Sequence, residues 1–458
     1  MTSDLDLQKI KRVHFIGIGG IGISAIAHMM LLDGKIVSGS DVAESPITRA
    51  LAEAGAKVTI GQKAENISEA FGTDFGTDFS AERLVVYTVA IKEDNPELVE
   101  VRRCRLMALT YPQMLAVVSR EKFTIAVAGS HGKTTTTAMI AKILIDAGLN
   151  PTVIVGSLMK SSGTNFVIGK SKYFLVEACE YSRSFLNLHP NISVITNIDD
   201  DHLDYYGDIA GVQKGFREFA ELLPADGTLV CELEGANMRA VVAGAGSVGD
   251  AGLAAQVSDY SKISDAEMPK LKVPGEHNVK NAKAALVVAR LLGVSDESAT
   301  RSLAEFSGTW RRFDFLGTTK SGTLVYDDYA HHPTEIRATL ESVRKLFPDR
   351  KLTLIFQPHL YSRTKEHLED FAHCFGGAES GVENLFIAPI YAAREPADPS
   401  ISSEILAEKI RTAGVFNGQV KTFADFAAIE AELKISSSDI IMTMGAGDIN
   451  SVALSVLQ

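Results

Sequence analysis

Short apolar runs rich in β-branched residues alternate with helical stretches along the whole chain of 458 residues. Most of these runs are continuously apolar, which is typical of parallel strands buried on both faces of a sheet. Their alternation with helices predicts an α/β fold, and the length suggests about three domains. The predicted strands are Val13–Ile16, Ile36–Ser38, Lys57–Ile60, Leu84–Thr88, Phe123–Ala128, Thr152–Val155, Tyr173–Val176, Ser193–Thr196, Thr228–Cys231, Thr323–Tyr326, Leu352–Phe356, Leu385–Ile390 and Ile440–Met444.

Two stretches indicate where the domains meet. The helix-like stretch at 105–122 leads into a new strand and a new glycine-rich loop. The segment Phe306–Phe315 separates a helical region from a fresh series of strands and helices. We therefore predict domains at 1–119, 120–308 and 309–458.

The composition excludes several classes of protein. The formal net charge of −12 argues against a nucleic acid or an anionic membrane as the main partner. The four cysteines are widely spaced, so neither a zinc ribbon nor a disulfide framework is indicated. The N-terminus lacks the apolar core of a signal peptide, and no apolar run approaches the ~18 residues of a membrane span. We expect a cytoplasmic protein, and the sequence leaves its oligomeric state open.

A glycine-rich loop between the first strand and the first helix predicts a diphosphate site. Gly17, Gly19 and Gly22 form the pattern G-x-G-x-x-G. The first allows a tight turn, the second lets the backbone approach a phosphate, and the third lets helix and strand pack closely. Asp41 ends the next strand, where an acid can bind ribose hydroxyls. The pattern leaves NAD, FAD and UDP-sugars open as ligands, and also a tight turn with no ligand.

A second glycine-rich loop predicts a nucleoside triphosphate site. Gly129, Gly132, Lys133 and Thr134 lie between an apolar strand and an amphipathic helix. The loop amides can cradle phosphates, the lysine can reach the β- and γ-phosphate oxygens, and the threonine can ligate Mg²⁺. Val127 stands where a full Walker A motif has its first glycine, so the loop is a variant. A simple dehydrogenase is disfavoured, because hydride transfer has no use for such a loop.

Polar clusters follow several of the predicted strands. Glu177 and Glu180 follow one strand, and Asp199–Asp201 with His202 follow the next. Groups beyond the carboxyl ends of neighbouring parallel strands converge on a ligand crevice, and carboxylates there can hold Mg²⁺. A solvated acidic loop is the alternative. Later clusters are His277-Asn278 with Asn281, Trp310–Phe313, Asp327–Pro333, Phe356–His359 and Gly445–Asp448.

The order of these motifs resembles the Mur ligase family. The segments that carry the resemblance extend over nearly the whole chain: GIGGIG, GSHGKTTTT, TNIDDDHLDYY, PGEHNVKNAKAA, RRFDF, DDYAHHPTEI, FQPHLYSRT and GAGDI. It implies N- and C-terminal Rossmann-like domains flanking a central P-loop ATPase domain with a mainly parallel sheet. It further implies ligation of L-alanine to the carboxylate of UDP-N-acetylmuramate, driven by ATP with Mg²⁺, in peptidoglycan precursor synthesis.

The same resemblance implies a ligand for each group of residues. The UDP-sugar is expected at Gly17, Gly19, Gly20, Gly22 and Asp41. The ATP phosphates are expected at Gly129, Ser130, His131, Gly132, Lys133, Thr134 and Thr135, and the nucleoside at His277, Asn278, Asn281 and Asp328. Mg²⁺ is expected at Thr134, Glu180 and His202, and the amino-acid carboxylate at His359 and Arg363. The expected catalytic residues are Lys133, Glu180, His202 and Arg312.

Two departures from the family pattern leave alternatives open. Leu360 stands where the family commonly has arginine, which leaves selectivity among L-alanine, glycine and serine undecided. EACEYS stands where EADESD is frequent, so Glu177 is an alternative to Glu180 as the metal ligand. A related ligase that adds another amino acid or a murein peptide is the first alternative function. A nucleotide-binding switch protein without ligase activity is the more remote one.

Overall fold

The computed structural model describes residues 5–72, 82–160, 164–243, 253–376, 381–393 and 395–457. These residues form three sheets of five, seven and six strands, and two of the strand pairs are antiparallel while the others are parallel. Mixed α/β structure with mostly parallel sheets confirms the predicted fold class. Each sheet lies within one predicted domain range, and the domain boundaries themselves stay predictions.

The first sheet has a Rossmann-like order of strands. Its elements are β1 (Arg12–Ile16), α1 (Ile21–Leu32), β2 (Ile36–Asp41), α2 (Pro46–Glu53), β3 (Lys57–Ile60), α3 (Glu65–Phe71), β4 (Arg83–Tyr87), α4 (Pro96–Arg103), β5 (Ala108–Thr110) and α5 (Tyr111–Arg120). The strands lie in the order β3-β2-β1-β4-β5. The order reverses beside β1, so the loop after β1 lies where ligands bind in such sheets.

A buried polar cluster ties α4 to the first sheet. Nδ1 of His14 lies 2.9 Å from Ser38 Oγ, and its Nε2 lies 3.3 Å from Glu97 Oε2. The same Glu97 oxygen accepts a hydrogen bond from Ser40 at 2.8 Å, and the other accepts one from Asn66 at 2.5 Å. Glu97 is fully buried in the first turn of α4, where the helix dipole favours a negative charge. The cluster therefore connects two strands and two helices.

Replacing Glu97 by alanine should destabilise this part of the protein strongly. The change leaves three buried polar side chains without their acceptor, and losing one member of such a cluster costs about 3–5 kcal/mol. Urea unfolding of the full chain measures the loss. Glu100→Ala on the same helix is the control and should change little, because its partner Arg103 is exposed. Equal losses in the two variants would contradict the importance of the cluster.

The second sheet places a glycine-rich loop at its middle strand. Its elements are β6 (Phe123–Ala128), α6 (Lys133–Asp146), β7 (Thr152–Met159), β8 (Thr164–Val167), β9 (Tyr173–Glu177), β10 (Ile192–Ile195), α7 (Leu203–Tyr206), α8 (Ile209–Glu221), β11 (Thr228–Cys231), α9 (Ala236–Ala243), β12 (Gln256–Asp259), α10 (Glu276–Leu291) and α11 (Asp296–Glu305). The strands lie in the order β12-β11-β10-β6-β9-β7-β8. The loop after β6 is thus flanked by the carboxyl ends of β9 and β10.

The third sheet is built from the C-terminal part of the chain. Its elements are β13 (Asp314–Thr318), β14 (Leu324–Asp328), α12 (Pro333–Leu346), β15 (Leu352–Phe356), α13 (Tyr361–Glu366), α14 (Leu368–Cys374), β16 (Val382–Ile387), α15 (Ser403–Ala413), β17 (Gln419–Thr422), α16 (Phe426–Leu433), β18 (Ile440–Met444) and α17 (Asn450–Val456). The strands lie in the order β13-β14-β18-β15-β16-β17. The loops after β14, β15 and β18 therefore meet at one edge of the sheet.

The chain divides into two compact units. One contains the first two sheets together with Ala284–Ser302, and the other contains Ser264–Lys283 and the third sheet. Helix α10 contributes residues to both units. Among the described residues, no helix combines the length and the apolar character that crossing a bilayer requires.

Candidate active site

The loop after β6 has a conformation that requires glycine at two positions. Gly129 has φ +137° and Gly132 has φ +81°, both in the left-handed half of the map that favours glycine. A Cβ atom on Gly129 would lie 2.0 Å from Oγ1 of Thr196, which follows β10. The loop leads directly into α6, a helix of 14 residues. Its amides and the positive end of the helix dipole favour an anion at this point.

Side chains that follow β10 support this loop. The His131 amide donates a hydrogen bond to Asn197 Oδ1 at 2.9 Å. Nε2 of His131 lies 2.9 Å from Asp199 Oδ2, and the Asp199 amide donates to Ser130 Oγ at 2.9 Å. The first residue of the acidic run is therefore part of the loop's support.

Lys133 is the first residue of α6, and its side chain turns back over the loop. Its ammonium group donates to Gly129 O at 2.6 Å, to Ser130 O at 3.1 Å and to Glu180 Oε1 at 2.7 Å. Burial is the largest single influence on the pKa of Lys133 and lowers it, but the charge and hydrogen bond of Glu180 together with the neighbouring acidic groups outweigh burial, and the pKa lies above its usual value. The loop therefore carries a permanent positive charge.

Glu180, Asp201 and His202 form a group that can hold a metal ion. One ligand atom of each residue lies within 4.8 Å of the others. His202 Nε2 lies 3.7 Å from Glu180 Oε1 and 3.7 Å from Asp201 Oδ2. Glu180 is 2% exposed, and its Oε2 has no hydrogen-bond partner among the described residues. A buried carboxylate oxygen without a partner is costly, so these residues fit a divalent cation.

Thr134 and Thr135 lie in the first turn of α6, and Thr134 contacts the other candidate glutamate. Its hydroxyl donates to Glu177 Oε1 at 3.0 Å, while Glu177 Oε2 accepts from the Gly156 amide at 2.7 Å. The structure thus brings the predicted ligands Glu180 and His202 together and joins Thr134 to Glu177. Asp201 belongs to the acidic run that the sequence indicated as able to hold Mg²⁺, but it was not named there as an individual ligand.

The loop after β1 also contains positions that favour glycine. Gly17 has φ +81°, and Gly20 lies at the residue before α1. The Gly19 amide donates to Asp41 Oδ2 at 2.8 Å, and a Cβ atom on Gly19 would lie 2.9 Å from the same oxygen. In this structure Asp41 therefore holds the glycine loop. Its predicted contact with the UDP-sugar stays a prediction.

Gly22 gives space to an aromatic ring. A Cβ atom on Gly22 would lie 2.5 Å from Cζ and from the hydroxyl of Tyr111 on α5. The sequence predicted that Gly22 allows its helix to pack closely on a strand. The structure instead places the Tyr111 side chain, from a different helix, against Gly22. Sequence reasoning missed Tyr111, because nothing near Gly22 in the chain indicates which distant residue packs on it.

The second unit contains a deeply buried arginine, Arg311. It is 3% exposed, and its Nε donates to Asp327 Oδ2 at 2.7 Å. Its two terminal nitrogens donate to Gly447 O and Gly445 O, each at 2.6 Å. Arg311 thus ties the loop after β18 to the end of β14. Sequence reasoning noted the pair of arginines and gave this one no role.

The neighbouring Arg312, which was predicted to meet the γ-phosphate, is more accessible. Its guanidinium lies 5.1 Å from the centroid of the Tyr329 ring, and Nη1 lies 3.7 Å from Glu335 Oε1. The side chain is 29% exposed, so a ligand can reach it.

Asp328 is buried behind Arg312. One carboxylate oxygen accepts from the Ala330 amide at 2.7 Å, and the other accepts from the Phe313 amide at 2.8 Å and from Thr339. Burial raises the pKa of Asp328 to about 6, and the Arg312 charge and the two amides offset only part of that effect.

The raised pKa of Asp328 predicts a pH-dependent stability. The folded pKa of about 6 exceeds the ordinary 3.8, so the folded state binds the proton more tightly. The contribution of protonated Asp328 to the free energy of unfolding is therefore present at low pH and is lost as pH rises through 6. The unfolding free energy of the wild type, relative to Asp328→Asn, should fall by up to about 3 kcal/mol between pH 4 and 7.

Urea unfolding at several pH values measures this difference. Asp398→Asn is the control, because hydrogen bonds from Ser400 hold the pKa of the Asp398 carboxyl below its usual value. Its contribution to stability is complete above the ordinary pKa of 3.8, so the difference between wild type and this control should stay nearly flat between pH 4 and 7. A difference between wild type and Asp328→Asn that stays flat with pH would contradict the prediction.

The residues predicted to face adenine form a connected cluster at the start of α10. Asn278 Nδ2 donates to Pro274 O at 2.6 Å, and Asn281 Nδ2 donates to Asn278 Oδ1 at 3.2 Å. Gly275 has φ +100°, and a Cβ atom there would lie 2.4 Å from the His277 ring. The cluster is ordered by its own contacts, and its contact with adenine stays a prediction.

The structure brings the residues predicted for the amino-acid carboxylate together. His359 Nδ1 lies 3.3 Å from Arg363 Nη1, and the His359 ring stacks on Tyr391 at 5.7 Å between centroids. Leu360, which lies between His359 and Arg363 in the chain, is the residue before α13 and has φ +69°. Arg363 is 7% exposed, so its guanidinium is largely withdrawn from solvent.

Comparison with known proteins covers nearly the whole chain. Three family models match: "Mur ligase family, catalytic domain" at residues 12–123, "Mur ligase middle domain" at 127–289, and "Mur ligase, glutamate ligase domain" at 311–447. A UDP-N-acetylmuramate–L-alanine ligase of Caldanaerobacter subterraneus subsp. tengcongensis is 40% identical over 476 residues, which cover 99% of each chain. One from Clostridium botulinum strain Langeland is 38% identical over 470 residues, covering 99% of this chain and 98% of the relative.

Solved structures agree with these matches. The crystal structure of a UDP-N-acetylmuramate-alanine ligase from Thermotoga maritima has a TM-score of 0.74 and 26% identity, covering 97% of this chain and 98% of that one. A murein peptide ligase from Psychrobacter arcticus has a TM-score of 0.67 and 24% identity, with the same coverage. The second likeness supports the fold alone.

Proposed function

This chain belongs to the Mur ligase family, and we infer from that membership an ATP-dependent ligase that joins L-alanine to the carboxylate of UDP-N-acetylmuramate. The product is a peptidoglycan precursor. The observation that carries the inference is the 40% identity to a UDP-N-acetylmuramate–L-alanine ligase over 99% of both chains. The geometry supports it independently, because the loop after β6 combines helix amides, a charged Lys133 and a group of metal-ligating side chains.

Amide formation from a carboxylate requires activation, and ATP supplies it. The muramoyl carboxylate attacks the γ-phosphorus, so an oxygen–phosphorus bond forms and the bond to ADP breaks. The amine of L-alanine then attacks the acyl carbon of this acyl phosphate. Collapse of the tetrahedral intermediate forms the amide, releases phosphate and leaves the amine proton to solvent or a base.

Lys133 is proposed to neutralise the charge that develops on the transferred phosphoryl group. In this structure its ammonium group is bound by the carbonyl groups of Gly129 and Ser130. Phosphate oxygens at the loop are stronger acceptors because they are charged, so they can replace these carbonyls. Arg312 is proposed to approach the γ-phosphate as a second cation. Positioned cations of this kind stabilise phosphoryl transfer.

The group formed by Glu180, Asp201 and His202 is proposed to hold Mg²⁺. The buried Oε2 of Glu180, which has no partner among the described residues, is the observation that supports this assignment. Mg²⁺ bound there would reduce the charge repulsion between the triphosphate and the attacking carboxylate. Thr134 at the start of α6 and Glu177 at the end of β9 offer further oxygen atoms beside the same loop.

The remaining ligands are proposed to lie at the other strand ends. The diphosphate of the UDP-sugar binds at Gly17–Gly22, where the loop leads into α1. The carboxylate of L-alanine binds at His359 and Arg363. We also propose a cytoplasmic location, because ATP and nucleotide sugars are available there.

Phosphate release with ATP and UDP-N-acetylmuramate, scanned over the amino acids, tests the function. Release should require both the UDP-sugar and an amino acid and should be fastest with L-alanine. Faster release with a murein tripeptide would favour the peptide-adding alternative. ATP hydrolysis that is independent of UDP-N-acetylmuramate would favour a nucleotide-dependent switch. Comparing glycine and serine with L-alanine shows whether Leu360 broadens the selectivity.

A further inference from the structure

Tyr111 lies at a position fixed by local hydrogen bonds. The preceding Thr110 caps α5: its hydroxyl accepts from the Gln113 amide at 3.4 Å, and its own amide donates to Gln113 Oε1 at 2.9 Å. Pro112 follows in the first turn of the helix. Because this capping box and the proline restrict the backbone, the Tyr111 ring leaves α5 in a defined direction.

One side of the Tyr111 ring faces the N-terminus of α1. A Cβ atom on Gly22 would lie 2.5 Å from the Tyr111 hydroxyl, so the glycine is required for this approach. The same end of α1 is also held by the second sheet, since Asn165 Nδ2 donates to Ile21 O at 2.5 Å. The Tyr111 hydroxyl therefore lies beside the loop proposed to bind the diphosphate.

The Tyr111 hydroxyl is also close enough to the carboxyl end of β9 to interact electrostatically with Glu177. Burial, together with the negative charge of Glu177, holds the pKa of Tyr111 above its usual value, so the phenol stays protonated and can donate. Glu177 is the residue that accepts the hydrogen bond of Thr134 in that loop. Tyr111 thus lies near both the loop proposed to bind the UDP-sugar and the residues that contact the loop proposed to bind ATP.

Tyr111 is half-buried, and within the described part of the chain its hydroxyl makes no hydrogen bond, so it is available to a ligand. A phenol in such a place usually has a partner. The muramoyl carboxylate must extend from the diphosphate at Gly17–Gly22 to the γ-phosphate at Lys133. A substrate that extends between these two points can contact Tyr111, because this residue packs on Gly22 and interacts with Glu177.

We propose that the Tyr111 hydroxyl donates a hydrogen bond to the acidic sugar of the UDP-sugar, between the diphosphate and the γ-phosphate. Tyr111 is then a substrate-binding residue that directs the carboxylate toward the loop after β6. This inference rests on the proposed function, because it needs a substrate that contacts both loops.

Tyr111→Phe tests the inference, because it removes the hydroxyl and keeps the ring against Gly22. We expect the Kd of UDP-N-acetylmuramate, measured by calorimetry on the full chain, to rise about tenfold, as for loss of one hydrogen bond to a charged group. The Kd values of UDP and of ADP should be unchanged, since neither contains the acidic sugar. Tyr173→Phe is the matched control, as a half-buried tyrosine of β9 whose ring packs on Phe123.

The outcomes separate the inference from the proposed function. Equal weakening of UDP and UDP-N-acetylmuramate would show that Tyr111 only packs on the glycine loop, and unchanged binding of both would show no contact. Either result overturns the inference while the wild type still releases phosphate with L-alanine. A wild type that neither binds UDP-N-acetylmuramate nor releases phosphate would overturn the proposed function as well.

Discussion

Lys133→Ala should abolish ATP turnover while the protein still binds UDP-N-acetylmuramate. The ammonium group of Lys133 is a cation that lies on the loop after β6. Its loss leaves the negative charge that develops on the transferred phosphoryl group in the transition state without this neutralising partner. We expect phosphate release to fall about a thousandfold, as for loss of one strong electrostatic group at an active site. Steady-state phosphate release and calorimetry with the UDP-sugar measure the two effects separately.

Two further variants control this experiment. Lys142→Ala lies on the same helix, where its ammonium pairs with Asp146 at 2.9 Å, and it should leave turnover unchanged. Lys133→Met keeps most of the side-chain volume, so it separates loss of charge from loss of packing. Turnover that persists in the Lys133 variants would refute the assignment of this loop to ATP.

Glu180→Gln should reduce turnover and shift the Mg²⁺ dependence to higher concentrations. The amide removes the charge from a buried group whose Oε2 has no partner among the described residues. We expect turnover to fall about a hundredfold or more at saturating ATP, and the midpoint of the Mg²⁺ titration to rise. Phosphate release measured over a range of Mg²⁺ concentrations gives both values.

Glu177→Gln is the matched comparison for Glu180→Gln. The two carboxylates flank the same loop. Both oxygens of the Glu177 carboxylate already accept hydrogen bonds, one from Thr134 and one from the Gly156 amide. We expect the smaller shift in Mg²⁺ dependence from this variant. A larger shift from Glu177→Gln than from Glu180→Gln would reverse the assignment of the metal ligand.

The strands that the sequence did not predict are all at sheet edges. Strands β5, β8, β12, β13 and β17 each end a sheet, and the strands that were predicted include every interior one. An interior parallel strand is buried on both faces, so it is mostly apolar, as in Leu352–Phe356, where Thr353 is the one polar residue. An edge strand such as Gln419–Thr422 is only partly buried, and its polar residues give no such pattern. Prediction from apolar runs therefore finds every interior strand and misses five of the six edge strands, the exception being β3.

Contacts between distant residues decided most of the site's arrangement. The sequence places Glu177 and Glu180 at the end of one strand, and only the fold shows that the first contacts Thr134 and the second contacts Lys133. Arg311 and Arg312 are likewise adjacent in the chain, and only the fold shows that their side chains have different partners. A positive φ of +56° at Arg311 directs its side chain to the backbone of Gly445 and Gly447 instead of toward a ligand.

The sequence by itself determined the fold class, the positions of the two glycine-rich loops and the family. These features depend on residues close together in the chain, because a strand, a tight turn and a helix N-terminus form from one continuous segment. The tertiary structure alone decided which carboxylate or tyrosine comes to each loop. Such partners are brought together by sheet order and helix packing, so Gly22 meets Tyr111 across 89 positions of the chain with no local signal for it.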